Sequence, residues 1–235
     1  MYEGGADFSM RTFVDLHLKP GAPSEVALIL ETAEILGFSG VAITNIRDSR
    51  GARQGIDVIS RIDLKPRNQR DLTSSLNRVR RRYEIVSVEC ASKPVARQAA
   101  KDHRVDILNF SPSASNRRKV GFDHQEASLA SGANCAYEVN ACDILGQGPL
   151  ALSRLLPILR REVENARRYD VPVVLSSGAV DPLLMRGPRD LAALMGLIDR
   201  EIDWLDSVST NPWKIVERNR EKLSTGFVVP GVKVV

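Results

Sequence analysis

Short apolar segments alternate with longer amphipathic segments along most of the chain. The apolar segments run for five or six residues with few polar interruptions, a pattern typical of parallel strands that are buried on both faces. They predict strands at residues 12–17, 40–44, 59–64, 84–88, 106–110, 135–139 and 171–176. The amphipathic segments predict helices at residues 23–36, 73–83, 94–101, 124–130, 150–169, 188–195, 202–205 and 212–222.

The order of these elements predicts the fold class. About seven strands, each followed by a helix, fit a closed barrel of 235 residues better than an open doubly wound sheet. We therefore predict an α/β protein with one TIM-like (β/α) barrel of seven or eight parallel strands at residues 11–235, including a helical C-terminal tail. Residues 1–10 show no strong pattern, and we interpret them as a frayed amino terminus. Residues 47–55 are rich in Arg, Gly and Ser and are predicted to form an exposed loop between a strand and a helix.

Several classes of protein find no support in the sequence. No GxGxxG follows the first predicted strand, and neither GxxxxGK[ST] nor GxSxG occurs. Cys90, Cys135 and Cys142 form no CxxC pair, which argues against a structural zinc site. An odd number of cysteines predicts a reducing, cytoplasmic setting. No apolar run approaches the roughly 18 residues that a membrane span needs.

Polar residues gather at the carboxyl ends of the predicted strands, and these ends meet at one mouth of a barrel. They are Asp15, His17, Asn45, Glu89, Asn109, Glu138, Asn140, Ser176 and Ser177. Asp15 and His17 lie two residues apart and are expected on the same side of their strand. One interpretation is a binding or catalytic mouth, and the other is a hydrogen-bonded network that caps the barrel. Because the chain has only three histidines, a catalytic mouth with a hydrolytic metal site is less favoured than the hydrogen-bonded cap.

Charge is distributed unevenly along the chain. Residues 44–119 hold 18 Lys and Arg against 8 Asp and Glu, whereas the remaining residues hold 15 against 21. A basic segment of this kind is typical of a surface for a polyanion, most often a nucleic acid, although solvated helix faces give the same count. The 12 aromatic residues are few for a protein that stacks on single-stranded bases. Phosphate contacts are therefore the expected mode of binding.

The candidate phosphate contacts fall into five groups. Three arginines alternate with Gly and Ser, three belong to one predicted helix, two basic residues are spaced by four, three form a triplet in a predicted loop, and one histidine begins a helix. These residues are Arg47, Arg50, Arg53, Arg78, Arg81, Arg82, Lys93, Arg97, Arg117, Arg118, Lys119 and His124.

Short segments, taken in order, carry a resemblance to a known family. They lie at residues 13–17, 37–42, 106–111, 137–140, 173–179, 186–190 and 208–212. Over residues 12–222 the chain resembles ribonuclease P protein component 3, an archaeal family related to the 30 kDa subunit of eukaryotic ribonuclease P and MRP. That family is similar to the polymerase-and-histidinol-phosphatase barrels, which open with His-x-His. Asp15-Leu16-His17 stands at this place, so the resemblance implies an incomplete metal site.

The resemblance also implies a function. Ribonuclease P removes the 5′ leader from precursor tRNA, and its RNA subunit, which needs magnesium, catalyses the cleavage. The chain is expected to bind the ribonuclease P RNA together with protein component 2, with precursor tRNA as the substrate of the complex. No catalytic residue, metal or cofactor is expected in the chain itself, and no membrane association.

Two other functions remain open from the residues. One is a metal-dependent phosphoesterase that uses Asp15, His17, Glu89 and Glu138. The other is a mainly structural subunit that scaffolds component 2 and makes little use of its basic surface.

Overall fold

The computed structural model describes residues 11–45, 51–53, 55–200, 203–224, 227–229 and 232–233. Residues 51–53, 227–229 and 232–233 are described by their backbone alone. The predicted frayed segment 1–10 lies outside the described residues, as do Arg47 and Arg50.

Seven parallel strands form a nearly closed barrel, which confirms the predicted fold class. Their order around the barrel is β1-β2-β4-β5-β6-β7-β8. The bounds are β1 Val14–Leu18, β2 Gly40–Thr44, β4 Ile56–Leu64, β5 Ile85–Glu89, β6 Ile107–Asn109, β7 Ala136–Asn140 and β8 Val173–Ser176, with β3 at Gly51–Arg53. The first and last strands meet where Leu18 pairs with Ala179, and the Lys19 amide donates to the Ala179 carbonyl at 2.8 Å. The ring of strands thus closes near its carboxyl end.

The prediction that residues 47–55 form a loop between a strand and a helix is wrong. The strand after β2 along the chain is β3, which pairs antiparallel with β4 from Gly51 opposite Val58 to Arg53 opposite Ile56. Gly55 turns the chain between them at φ 84°, in the left-handed region that favours glycine. The segment 47–55 therefore contributes one arm of a hairpin, and not a loop between a strand and a helix.

Helices follow the other parallel strands and pack around the barrel. They are α1 Val26–Ile35, α2 Gln69–Val79, α3 Lys93–Ala100, α4 Ala114–Lys119, α5 His124–Ala133, α6 Ala141–Leu145, α7 Pro149–Arg168, α8 Pro188–Met195 and α9 Thr210–Leu223. Short 3₁₀ turns lie at Pro23–Glu25, Pro182–Leu184 and Trp204–Val208. β9 Phe227–Val229 and β10 Val232–Lys233 form an antiparallel pair at the C-terminal end. No helix in the described ranges is long and apolar enough to cross a membrane.

Helix α2 begins four residues earlier than predicted. The Asn68 side chain accepts a hydrogen bond from the Asp71 amide at 3.0 Å, which satisfies a free donor in the first turn of the helix. The helix ends at Val79, so Arg81 and Arg82 lie in the turn before β5 and not on the helix.

The amino-terminal half of the barrel interior is apolar, and α9 covers it. One buried cluster takes residues from each of the seven parallel strands together with Ile215 and Val216 of α9. The strand residues are Val14, Leu16, Ala42, Ile59, Ile85, Ile107, Ala136 and Val174. The predicted tail helix therefore completes the core.

Polar side chains of α9 fix it across the amino-terminal ends of the strands. Arg220 binds both carboxylate oxygens of Asp57, at the start of β4, at 2.7 and 2.9 Å. It also binds Glu84, just before β5, at 2.6 Å. Arg218 binds Asp106, just before β6, at 3.0 Å. Bidentate and charge-assisted bonds of this kind orient a helix as well as holding it.

We expect Ile215→Ala to lower the free energy of unfolding by about 2–5 kcal/mol, because it leaves a cavity at the base of the barrel interior. Urea denaturation measures the change. Lys214→Ala is the matched control, since Lys214 is the exposed neighbour of Ile215 and its truncation should change stability little. Equal effects of the two variants would contradict a core role for α9.

Candidate functional site

The carboxyl half of the barrel interior is polar, and a buried arginine lies across it. Arg61 of β4 has no exposed surface. Its two terminal nitrogens each donate to one carboxylate oxygen of Glu138 on β7 at 2.7 Å, and its Nε donates to Asp63 at 2.8 Å. Burial alone would lower the pKa of Arg61, but the two carboxylates raise it above its ordinary value. The guanidinium is thus a permanent cation inside the barrel.

Further side chains occupy the remaining acceptor positions of these carboxylates. Ser176 and Asn109 donate to the two oxygens of Glu138 at 2.9 and 2.8 Å. His17 lies with Nε2 3.0 Å from Asp63 and Nδ1 2.7 Å from the Asn140 side-chain oxygen. Although burial raises the pKa values of Glu138 and Asp63, Arg61 and His17 bring both below their ordinary values.

The layers of the interior follow the two-residue period of the strands. Ile59, Ala136 and Val174 belong to the apolar layer, and two residues further along their strands stand Arg61, Glu138 and Ser176. The sequence carries this signal, because Arg61 and Asp63 are charged residues at alternate positions in the carboxyl half of a buried strand. Both residues belong to the basic segment 44–119, and neither is among the residues predicted for the barrel mouth.

Other predicted mouth residues lie outside the network around Arg61. Asp15 is fully buried but accepts hydrogen bonds from the amide and hydroxyl of Ser177, and burial raises its pKa. Glu89 is half-exposed and pairs with Lys65 at 3.0 Å. Asn45 is exposed at the end of β2. Asp15 is thus hydrogen-bonded inside the fold, whereas Glu89 and Asn45 reach the surface.

In the phosphoesterase alternative, His17 lies 3.4 Å from Glu138 and lines the same cavity as Glu89, but each carboxylate already has another partner. Asp15 binds Ser177, Glu89 pairs with Lys65, and Glu138 is held by Arg61. The described part of the chain contains no group of three or more His, Cys, Asp or Glu side chains that could hold a metal ion. A cavity of about 400 Å³ lies above the network, and Lys19 and Lys65 are among its lining residues.

One residue of the basic triplet is wrongly predicted as an RNA contact. Arg117 is buried, with 3% of its surface exposed. It donates to the Tyr137 hydroxyl at 2.9 Å, to the Ser111 carbonyl at 2.7 Å and, in a very short contact, to Glu162 of α7. The triplet lies on α4 and not in a loop, so burial of Arg117 leaves Arg118 and Lys119 exposed.

Lys93 also departs from its predicted role. Its ammonium group contacts Asp123 at 2.7 Å, Glu126 at 3.0 Å and the Gly121 carbonyl at 2.9 Å. These partners use all three of its donors, so Lys93 holds the start of α5 against α3 and is not available to a phosphate. Arg97, next on the same helix, is half-exposed and lies 3.6 Å from Glu126.

The remaining members of the predicted set are on the outer surface where the structure describes them. His124 is exposed at the first residue of α5, as predicted. Arg78, Arg81 and Arg82 are exposed around the end of α2. The side chain of Arg53 lies outside the described part of the structure, as do Arg47 and Arg50.

Comparison with known proteins identifies the family. The sequence model described as RNase P subunit p30 matches residues 12–224. The chain belongs to the RNase P p30 family. It is a protein subunit of ribonuclease P, the ribonucleoprotein that cleaves tRNA precursors.

Curated relatives of this p30 chain carry the name ribonuclease P protein component 3. The protein from Methanosarcina barkeri is 31% identical, and the match covers 93% of each chain. The protein from Methanosarcina mazei is 29% identical over the same shares.

The p30 barrel resembles solved structures of two kinds of protein. A chain in a cryo-EM structure of archaeal ribonuclease P with mature tRNA superposes with a TM-score of 0.78 at 22% identity, covering 94% of this chain and 97% of that one. A histidinol phosphate phosphatase from Lactococcus lactis, complexed with zinc, L-histidinol and phosphate, gives a TM-score of 0.51 at 10% identity, covering 80% and 93%. At these identities the likeness is one of fold.

We expect Arg61→Met to lower the free energy of unfolding by about 3–5 kcal/mol, because Glu138 becomes a buried charge without its partner. Urea denaturation of this variant, beside the exposed control Arg70→Met, measures the loss. An effect below about 1 kcal/mol, typical of a surface pair, would contradict the buried-cation assignment.

The pH dependence of the free energy of unfolding provides a second test of the Arg61→Met variant. In the native protein, Asp63 and Glu138 have lowered pKa values, so their stabilisation is complete above the ordinary values of 3.8 and 4.5 and is lost as the pH falls below them. Without Arg61, burial raises the pKa of Glu138 instead. Acidification should then relieve part of the destabilisation, and the stability difference between variant and native protein should shrink toward low pH.

Proposed function

We propose that this subunit acts in ribonuclease P by binding RNA on the outside of its barrel and does not itself cleave the substrate. The observation that carries the proposal is the state of the barrel mouth. Arg61 occupies the place where the carboxylates of Glu138 and Asp63 meet, so these groups are engaged with a fixed guanidinium. The exposed basic residues lie elsewhere, on the outer helices and turns.

The proposed partners are the ribonuclease P RNA and protein component 2, with precursor tRNA as the substrate of the assembled complex. Magnesium is assigned to the RNA subunit, and the complex is placed in the cytoplasm. The exposed members of the predicted contact set carry the RNA binding. They are Arg78, Arg81, Arg82, Arg97, Arg118, Lys119 and His124.

A physical effect follows from basic side chains on such a surface. Folded RNA brings phosphates close together, and magnesium offsets their repulsion. Side chains that neutralise phosphates release counterions, so binding weakens as salt rises and the RNA needs less magnesium to hold its fold. The subunit thus supports catalysis by stabilising the catalytic RNA.

A protein-contact role is the second candidate, and exposed apolar side chains favour it. Ile35 on α1 is 78% exposed and Leu183, in the 3₁₀ turn after β8, is 85% exposed. Apolar surface of this kind is typical of contacts between proteins. If scaffolding of component 2 were the main role, assembly would respond little to salt and the RNA would show no direct footprint of this chain.

We expect this chain to lower the magnesium concentration that precursor-tRNA cleavage requires, when it is added to the cognate RNA subunit and component 2. Cleavage rates at several magnesium concentrations, with and without the chain, measure the shift. Glu89→Gln is the matched variant, because Glu89 belongs to the phosphoesterase set but not to the proposed RNA surface. It should support cleavage as the native chain does. Hydrolysis of a phosphate ester by the chain alone, lost in Glu89→Gln, would overturn the proposal.

A further inference from the structure

Two hollows lie side by side between α4 and α7, and one arginine lines both. The first, of about 500 Å³, is lined by Arg118 and Arg161. The second, of about 320 Å³, is lined by Arg118 and Arg154. Both Arg154 and Arg161 lie on α7, seven residues or two helical turns apart, and so share a face of that helix. We name this surface, defined by Arg118, Arg154 and Arg161, the α4–α7 groove.

The three arginines of the α4–α7 groove have no ionic or hydrogen-bonding partner in the described part of the protein, and all three are exposed. Other arginines of α7 do have partners. Arg160 donates to the carbonyls of Leu197 and Ile198, at 2.9 and 3.1 Å, and Arg168 pairs with Glu164 on its own helix. The groove therefore differs from the rest of α7 in leaving its guanidinium donors unsatisfied by protein.

The acidic residues that line the first hollow do not neutralise these arginines. Asp123 contacts the Lys93 ammonium at 2.7 Å, and although burial raises the pKa of Asp123, its hydrogen bonds with Glu126 and Lys93 bring that pKa below its ordinary value. Glu162 is held by the buried Arg117. Both carboxylates are thus in contact with Lys93 or Arg117, and Arg118 and Arg161 leave the lining of this hollow with an excess of positive charge.

Buried contacts hold the two sides of the groove in a fixed relation. Arg117 on α4 binds Glu162 on α7 and the Tyr137 hydroxyl on β7, directly beside the exposed Arg118. Gly121 follows α4 where a Cβ atom would come within 2.5 Å of Glu162 Oε1 and 2.6 Å of the Arg117 carbonyl oxygen. Because α4 cannot move from α7 without breaking these contacts, the backbone positions that carry the three arginines are fixed before any ligand arrives.

The arrangement suits an extended polyanion better than a single small anion. Positive charge is spread over two adjoining hollows, and Ser113, Ser115 and Gln147 add neutral hydrogen-bonding groups to the second. The one aromatic residue that lines either hollow, Phe122, is 1% exposed and so offers no face for base stacking. Arginine binds phosphate oxygens through paired donors.

We propose that the α4–α7 groove binds the phosphate backbone of RNA through Arg118, Arg154 and Arg161. The proposal rests on the proposed RNA-binding function and names the surface that performs part of it. Arg154 and Arg161 lie outside the basic middle segment of the sequence, and the fold alone brings them to Arg118.

The test replaces all three arginines with glutamine (Arg118→Gln, Arg154→Gln, Arg161→Gln) and measures binding of the full chain, with component 2, to the ribonuclease P RNA over a range of salt. We expect affinity to fall at least about tenfold, and the slope of log affinity against log salt to flatten by about 2–3, since each lost phosphate contact removes close to one unit. The matched control removes the same charge from exposed sites outside the groove (Arg67→Gln, Arg70→Gln, Lys101→Gln) and should keep the native slope.

The outcomes distinguish failure of the groove assignment from failure of the proposed RNA-binding function. If the native chain shows no salt-dependent RNA binding, the proposed function fails. If the native chain binds and the groove variant binds with the native slope, or if the control loses as much, only the groove assignment fails. Loss of component 2 binding with RNA binding intact would make the groove a protein interface and would also overturn it.

A second measurement maps the contact directly. Hydroxyl radicals generated from an iron chelate attached to the Ser115→Cys variant, beside the second hollow, should cut the bound RNA near the chain. The same probe at Ser131, exposed on α5 and outside the groove, should not cut those nucleotides. Both variants carry Cys142→Ser, because Cys142 is the one half-buried cysteine and the other two are buried. Equal cutting patterns from the two positions would contradict the assignment.

Discussion

The ion pair between Arg61 and Glu138 is the constraint on which the barrel depends. Both side chains have no exposed surface, so neither charge is solvated by water, and each needs the other. The pair joins β4 to β7 across the interior, and Asp63 and Ser176 complete its hydrogen bonds. A barrel whose carboxyl end is filled in this way keeps its strands in place without an apolar core at that level.

Side chains thus occupy both ends of the barrel interior, which leaves the outer surface as the accessible part of the protein. α9 covers the apolar half through Ile215 and Val216, while Arg61 fills the polar half. In a metal-dependent barrel, carboxylates at the mouth are free to accept a divalent ion; here a guanidinium already satisfies them. On the outer surface, the exposed Arg118 lies next in sequence to the buried Arg117, whose contacts hold α4 against the barrel.

Hydrophobic pattern was enough to predict the parallel strands, because each is buried on both faces and its apolar run is short and bounded. β2 at Gly40–Thr44 is the clearest case. Pattern was not enough for β3, since a three-residue arm is too short for any period, or for the triplet on α4, where one arginine faces inward. The partner of Arg61, Glu138, is 77 residues away in the sequence, so the local pattern marks Arg61 as a polar residue within a strand but does not identify its partner. In the same way, only the fold brings Arg154 beside Arg118.

The position of α9 after all seven parallel strands has a consequence for the order of events during synthesis. The helix contacts the first strand and also the starts of β4, β5 and β6. Before Ile215 and Val216 have emerged from the ribosome, no helix covers the base of the nascent barrel, and its apolar layer is exposed to water. Closure therefore joins the first strand to a helix that follows the last barrel strand in one late, long-range step, so the base of the barrel is completed only after all seven parallel strands have been synthesised.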